Sequence, residues 1–194
     1  MPRSGERKTQ ILQTLAQMLE GPSAERITTA ALATRIGVSE AALYRHFRGK
    51  ADMFAGLIDF IEGTLFTLIN RITSEEQSGL RQTEAIIVML LGFAQKNRGI
   101  TRVLTGDALV TENEALQARV NQIHDRVEAA LKQALRFAAS RGETAPDVDV
   151  AAAANLLMSF VAGRWHQYAK SGFRRDPAEL WPQQWQLLTA GMAI

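Results

Sequence analysis

TTAALATRIGVSEAALYRHFRGKADMF, residues 28–54, holds two short helical patterns separated by Gly37-Val38-Ser39. The first runs from Thr28 and Thr29, whose hydroxyls suit a helix cap, to Ile36. Ser39 is a good N-cap for a second short helix, Glu40 to Phe47. Two helices joined by a tight turn containing glycine form the helix-turn-helix pattern. Leu43 and Phe47 lie four residues apart and, with Leu32, Ile36 and Val38, can fill the small core that holds the two helices together.

That core leaves Glu40, Ala41, Tyr44, Arg45 and His46 on the outside. In this motif the second helix enters the DNA major groove with its N-terminal residues at the base edges. Ser39, Glu40, Ala41, Tyr44 and Arg45 are therefore the groove candidates. Thr28 with its neighbour Thr29, and Tyr44, His46 and Lys50, carry donors suited to the phosphate backbone. A cation in the first turn of a helix opposes the macrodipole by roughly 0.3–1 kcal/mol, so Arg48 and Lys50 are badly placed for stability alone. A DNA phosphate would relieve that conflict. Taken singly, Thr28 and Ser39 also suit plain caps, and Tyr44 and His46 plain surface positions; the combination is more specific than any member.

Outward from this stretch, helix dominates. Breakers at Gly21-Pro22, Gly37, Gly49, Ser78-Gly79, Arg98-Gly99, Gly142 to Pro146 and Gly172 to Pro177 separate segments of helical length, about nine in all. A first helix near Lys8 to Leu19 places Ile11, Leu12, Leu15, Met18 and Leu19 on one face. After the motif come helices near Lys50 to Ile72, Leu80 to Lys96 (apolar nearly all round), Ile100 to Thr105, Glu114 to Ser140, Val148 to Lys170 and Pro177 to Met192. Gly49 and Asp52 suit the N-cap and N3 positions of the Lys50 helix, and Asp176, Pro177 and Glu179 form a start signal for the last. The expected fold is all-α: an N-terminal three-helix DNA-binding domain, residues 1–49, joined to a larger helical domain, residues 50–194.

Composition narrows the chemistry. The chain has no cysteine, which removes disulfides, thiolate metal sites and cysteine nucleophiles. Net charge is only +2, but basic residues outnumber acidic ones through Met53 and not beyond it. Such an excess supports a phosphate-facing segment only alongside a motif. No apolar signal-peptide core and no run of about twenty apolar residues is present, so the reading is a soluble, unexported protein. His124 and Glu128 share a helix face, yet no third metal ligand stands near them, and a solvated face explains them better. His166 reads as a packed or interface histidine. No nucleophile elbow, P-loop or dinucleotide fingerprint appears, so no enzyme, metal or cofactor is expected.

The last two helices carry Leu157, Phe160, Val161, Trp165 and Tyr168 on one, and Trp181, Trp185, Leu188 and Met192 on the other. Aromatics are enriched at interface centres, and Ala151 to Ala154 with Gly163 would permit close helix approach, so this set is the candidate homodimer interface. The same residues also suit packing within one subunit. Two half-sites one DNA turn apart, roughly 34 Å, favour a two-fold dimer on palindromic double-stranded DNA.

The Ala33-to-Ser39 turn, A-x-x-x-G-V-S, and the following L-Y-x-H-F-x-x-K closely resemble the TetR-type regulators. That resemblance implies a DNA-reading head on a helical domain that dimerises through its last two helices. In most members a small molecule enters the core and shifts the heads; nothing in this sequence indicates an inducer.

A more specific resemblance is carried by RITTAALATRIGVSEAALYRHF, GLIDFIEGTLFTLINRI, LLGFAQKNRGITRVLTGDALV and LQARVNQIHDRVEAALKQALR, which span most of residues 26–136. They are similar to the SlmA-type nucleoid occlusion factors, a branch of the same family. This resemblance implies a cytoplasmic, nucleoid-associated protein. It implies binding to scattered chromosomal palindromes and antagonism of division-ring assembly through a grip on the C-terminal tail of the tubulin-like protein FtsZ. Residue by residue, it places the tail on Phe60, Thr64 and Leu68 of one helix and on Met89, Gly92, Lys96 and Asn97 beyond the next turn. Leu68 replaces an arginine of the family pattern, which removes one partner for an acidic tail, while Phe60 and Leu68 offer apolar contact instead. Gly92 costs roughly 1 kcal/mol relative to alanine in mid-helix, which fits close packing against either a partner or another helix. Phe66 points away from the main apolar stripe and is expected to be exposed. The alternative reading is a ligand-responsive TetR-type repressor.

Overall fold

The computed structural model describes residues 4–21, 27–110 and 112–192. They form nine α-helices and no strand: α1 Ser4–Met18, α2 Thr29–Ile36, α3 Glu40–Tyr44, α4 Lys50–Glu75, α5 Gly79–Lys96, α6 Arg98–Leu104, α7 Glu114–Ser140, α8 Val150–Lys170 and α9 Trp181–Thr189. A single 3₁₀ turn, Asp107–Leu109, lies between α6 and α7. Among the described residues no helix is long and apolar enough to cross a membrane.

Contacts divide the chain into two compact units. The first contains Met1–Glu62 and Asn97–Val120, and the second Gly63–Lys96 and Asn121–Ile194. This division by contacts differs from a cut at residue 49: the first half of α4 and the α6 region belong with the head.

In the first unit α1 packs on α2, and Ile11, Leu15, Leu32, Leu43 and Phe47 are all buried. Ile36 and Val38 are only half-buried. Gly37 closes α2 in the left-handed conformation at φ 77°, where a side chain would be strained. Recognition helix α3 is shorter than expected and ends at Tyr44. A tightened turn, with the N–H groups of His46 and Phe47 both donating to Leu43 O, still carries Phe47 into the core. Asp52 accepts the Arg48 N–H at 2.9 Å and so closes the start of α4. Gly99 brings α6 against α1 so closely that a Cβ there would stand 1.8 Å from Ala16 O.

In the second unit α5 lies against α8. The Trp165 indole N–H donates to Leu90 O at 3.1 Å, and the Tyr168 hydroxyl to Gln95 O at 3.1 Å. Asp149 caps α8 by accepting the N–H groups of Ala151 and Ala152. The last helix starts later than expected. Asp176 and Pro177 make only one turn, held by Arg164 donating to Pro177 O and Asp176 O, before Leu180 at φ 63° breaks the chain direction ahead of α9.

Candidate nucleic-acid interface

Ser39 caps α3 by accepting the Ala42 N–H, and Thr28 caps α2 by accepting the Ala31 N–H. Both hydroxyls are thus committed as acceptors while keeping a donor hydrogen, so the caps also present O–H groups outward. Ser39, Glu40, Ala41, Tyr44 and Arg45 are all exposed, Tyr44 to 49%. His46 is half-buried. The groove candidates therefore form one open face, because Leu43 and Phe47 turn the opposite side inward. Thr29 is half-buried and donates to Glu40 Oε2 at 2.7 Å, with the Tyr44 hydroxyl 3.4 Å away. This link ties the two helices of the motif on the side that faces out.

Lys50 differs from expectation. Its ammonium is not left for DNA alone: Glu112 Oε1 lies 2.5 Å away, and the Phe54 ring centroid 5.7 Å away. The helix-dipole conflict is thus relieved inside the chain. Glu112 stands far downstream, just before α7, and no local sequence signal points to it.

The remaining candidates are placed as follows. Phe60, half-exposed, and Asn97 line a cleft of about 500 Å³ in the first unit, with Leu12, Ala16, Leu57 and Ile100. Thr64 and Leu68 of α4 and Met89 and Gly92 of α5 are half-buried in the second unit, and Lys96 is exposed. A Cβ at Gly92 would meet nothing within 4 Å among the described residues. Phe66 is not exposed: the Arg126 guanidinium stacks 3.9 Å from its ring centroid.

The aromatic set of the last helices divides. Leu157, Val161, Trp165 and Tyr168 are buried within their own chain, Trp165 completely, because that face of α8 meets α5. Trp181 and Met192 are also buried, while Phe160, Trp185 and Leu188 are half-buried; Trp181 stacks between Phe160 and Trp185. The buried members serve the core of their own chain and leave little surface for a partner. The open face of α8 carries Ala151, Ala152, Asn155, Leu156, Ser159, Gly163 and His166, and Leu187 of α9 is 77% exposed. A period of 3.6 residues identifies a shared face without saying what covers it.

The metal candidates serve the fold. His124 stacks on Trp165 with ring centroids 5.7 Å apart, and Glu128 accepts from the Asn155 amide at 3.0 Å.

Comparison with known proteins agrees with this geometry. Residues 11–57 match the family model for bacterial regulatory proteins of the tetR family, and residues 77–193 match the SlmA-like model described as a tetracyclin repressor-like C-terminal domain. The chain is 49% identical over 192 residues to the nucleoid occlusion factor SlmA of Marinomonas sp. strain MWYL1, covering 99% of this chain and 98% of that protein. It is 50% identical to SlmA of Idiomarina loihiensis, covering 94% and 93%. A TetR-family regulator from Agrobacterium tumefaciens superposes with a TM-score of 0.82 at 16% identity over 99% of this chain and all of that one. The fatty acid degradation regulator FadR of Bacillus halodurans does so at 0.81 and 18%, over 98% of each chain, a likeness of fold alone. The chain is a helix-turn-helix regulator belonging to the tetR family and, within it, to the SlmA-type nucleoid occlusion factors.

Proposed function

We propose that this chain binds palindromic chromosomal DNA as a two-fold dimer and, while bound, inhibits assembly of the FtsZ division ring over the nucleoid. The carrying observation is near-half identity to SlmA across almost the whole chain, in both the head and the C-terminal region. The N-terminal domain, residues 1–49, reads the DNA together with Lys50 at the start of α4. The open face of α3 supplies Ser39, Glu40, Ala41, Tyr44 and Arg45 to base edges, and Thr28, Thr29, His46 and Lys50 hold phosphates. Two protomers meet through the open face of α8 around Leu156 and Gly163, together with Leu187.

In the second unit the FtsZ tail lies along Thr64, Leu68, Met89, Gly92 and Lys96. The space over Gly92 supports this reading, since a glycine at a helix-interior position costs stability that no contact within the chain returns. Lys96 supplies a cation to an acidic tail, and Leu68 replaces charge with apolar contact. Phe60 and Asn97 are carried over by resemblance.

A map of chromosomal occupancy in growing cells tests the function. Many scattered palindromic sites, sparse near the replication terminus, are expected; occupancy of only a few promoters would overturn nucleoid occlusion. In the same strain, Lys96→Glu is expected to weaken capture of an FtsZ tail peptide and leave DNA affinity unchanged.

A further inference from the structure

We propose that Glu112 is an internal competitor of DNA for Lys50, so that phosphate and the Glu112 carboxylate exchange one cation. The proposal rests on the reading of Lys50 as a phosphate ligand. Off DNA, the ammonium is enclosed by Glu112 Oε1 at 2.5 Å and by the face of Phe54. The Lys50 side chain is 27% exposed and that of Glu112 only 11%. The pair is therefore partly withdrawn from water, where an ion pair is screened less than on an open surface.

An arriving phosphate cannot simply share the ammonium. Phosphate and carboxylate would then stand on one small cation a few ångströms apart, and two like charges so close repel. Nearby Arg119 is already held by Asp59 and Glu62. Arg48 is exposed and lines a cleft with Asn113. A displaced Glu112 carboxylate turns outward, to water or to the exposed Arg48. The Glu112 backbone N–H is bonded to Leu109 O, so that movement pulls on the end of the 3₁₀ turn. Glu112 thus sets a threshold for DNA binding and reports occupancy to the segment leading into α7.

The test is a double-mutant cycle on a palindromic duplex, measured by fluorescence anisotropy at fixed salt with Glu112→Gln, Lys50→Ala and the double variant. Glu112→Gln is expected to bind about two- to fivefold tighter, the range of one partly screened ion pair. In the Lys50→Ala background the same change should be nearly silent. Equal tightening in both backgrounds, which general charge removal would give, overturns the proposal, as does no tightening. A wild-type chain that binds no duplex overturns the DNA reading and this proposal together. Wild-type protein supplies a second readout: amide hydrogen exchange in residues 109–113 should rise when duplex is added, and unchanged exchange rejects the exchange of partners.

Discussion

The Thr29 hydroxyl donates to the Glu40 carboxylate at 2.7 Å, fixing the start of α2 to the first residue of α3. The bond is partly solvated, so removing it costs little stability, about 1 kcal/mol or less. It nevertheless ties the open face of the five-residue α3 to α2, opposite the core contact of Leu43, and so bears on the roll of that helix. Thr29→Val is expected to unfold at nearly the wild-type denaturant midpoint while losing affinity for palindromic duplex severalfold. Unchanged affinity would show that α3 is oriented by its core residues alone.

Tyr44→Ala and Lys50→Ala are expected to lower DNA affinity with helix content intact, since Tyr44 is half-exposed and Lys50 lies at a helix end. Each phosphate contact contributes about 0.9 to the slope of log affinity against log salt. Lys50→Ala should reduce that slope by about this amount; a slope that does not move rules Lys50 out as a phosphate ligand.

Two glycines predict opposite effects of one substitution. At Gly99 an added methyl collides with backbone, Ala16 O, which no rotamer change can relieve. Gly99→Ala should therefore destabilise by about 2 kcal/mol or more. At Gly92 nothing is within reach, so alanine should stabilise by up to about 1 kcal/mol, visible as a rise in Tm, while weakening tail-peptide binding. Stabilisation with unchanged peptide affinity would move the tail away from Gly92.

Leu156, 51% exposed on α8, is expected to lie between protomers. Leu156→Glu should convert the dimer to a folded monomer in sedimentation velocity. Trp165→Ala, by contrast, should cost about 3–5 kcal/mol of stability because it empties the core between α8 and α5. A Leu156→Glu protein that remains dimeric would place the interface elsewhere.

Two carboxylates shape the acid limb of stability. The N–H groups of Ala152 and Ala151 hold Asp149 below its ordinary range. Burial pushes Glu143 up, but the Leu80 N–H, the Ser78 hydroxyl and Arg141 together outweigh it and hold it below its ordinary value. Both folded values are depressed, so their stabilisation is present above the unfolded values, about 4, and is lost as pH falls through that range toward the folded values. Glu143→Gln should flatten the decline between about pH 5 and 3 in denaturant melts, and an unaltered acid limb would remove Glu143 from its causes.

Much of this was legible in the amino acids because the signals were local. Gly37, Ser39 and Leu43 specify turn, cap and core within seven residues, and the helix breaks coincide with glycine and proline. What was not legible required knowledge of a distant partner. Trp165 shares a helical face with Leu157 and Val161, but only the position of α5 decides that this face turns inward. Lys50 looked like a charge awaiting a phosphate because nothing near it in sequence announces Glu112. The Asp176-Pro177 start signal was real, yet Leu180 in the left-handed conformation limited it to one turn.

The inward placement of Trp165 has a consequence for dosage. Because each protomer completes the α5–α8 core by itself, a dissociated subunit is expected to keep its core, with folding and pairing as separate equilibria. At concentrations below the pairing constant, the number of two-headed molecules grows with the square of the protein level. A modest change in synthesis or dilution during cell growth would then be amplified in the number of chromosomal sites occupied.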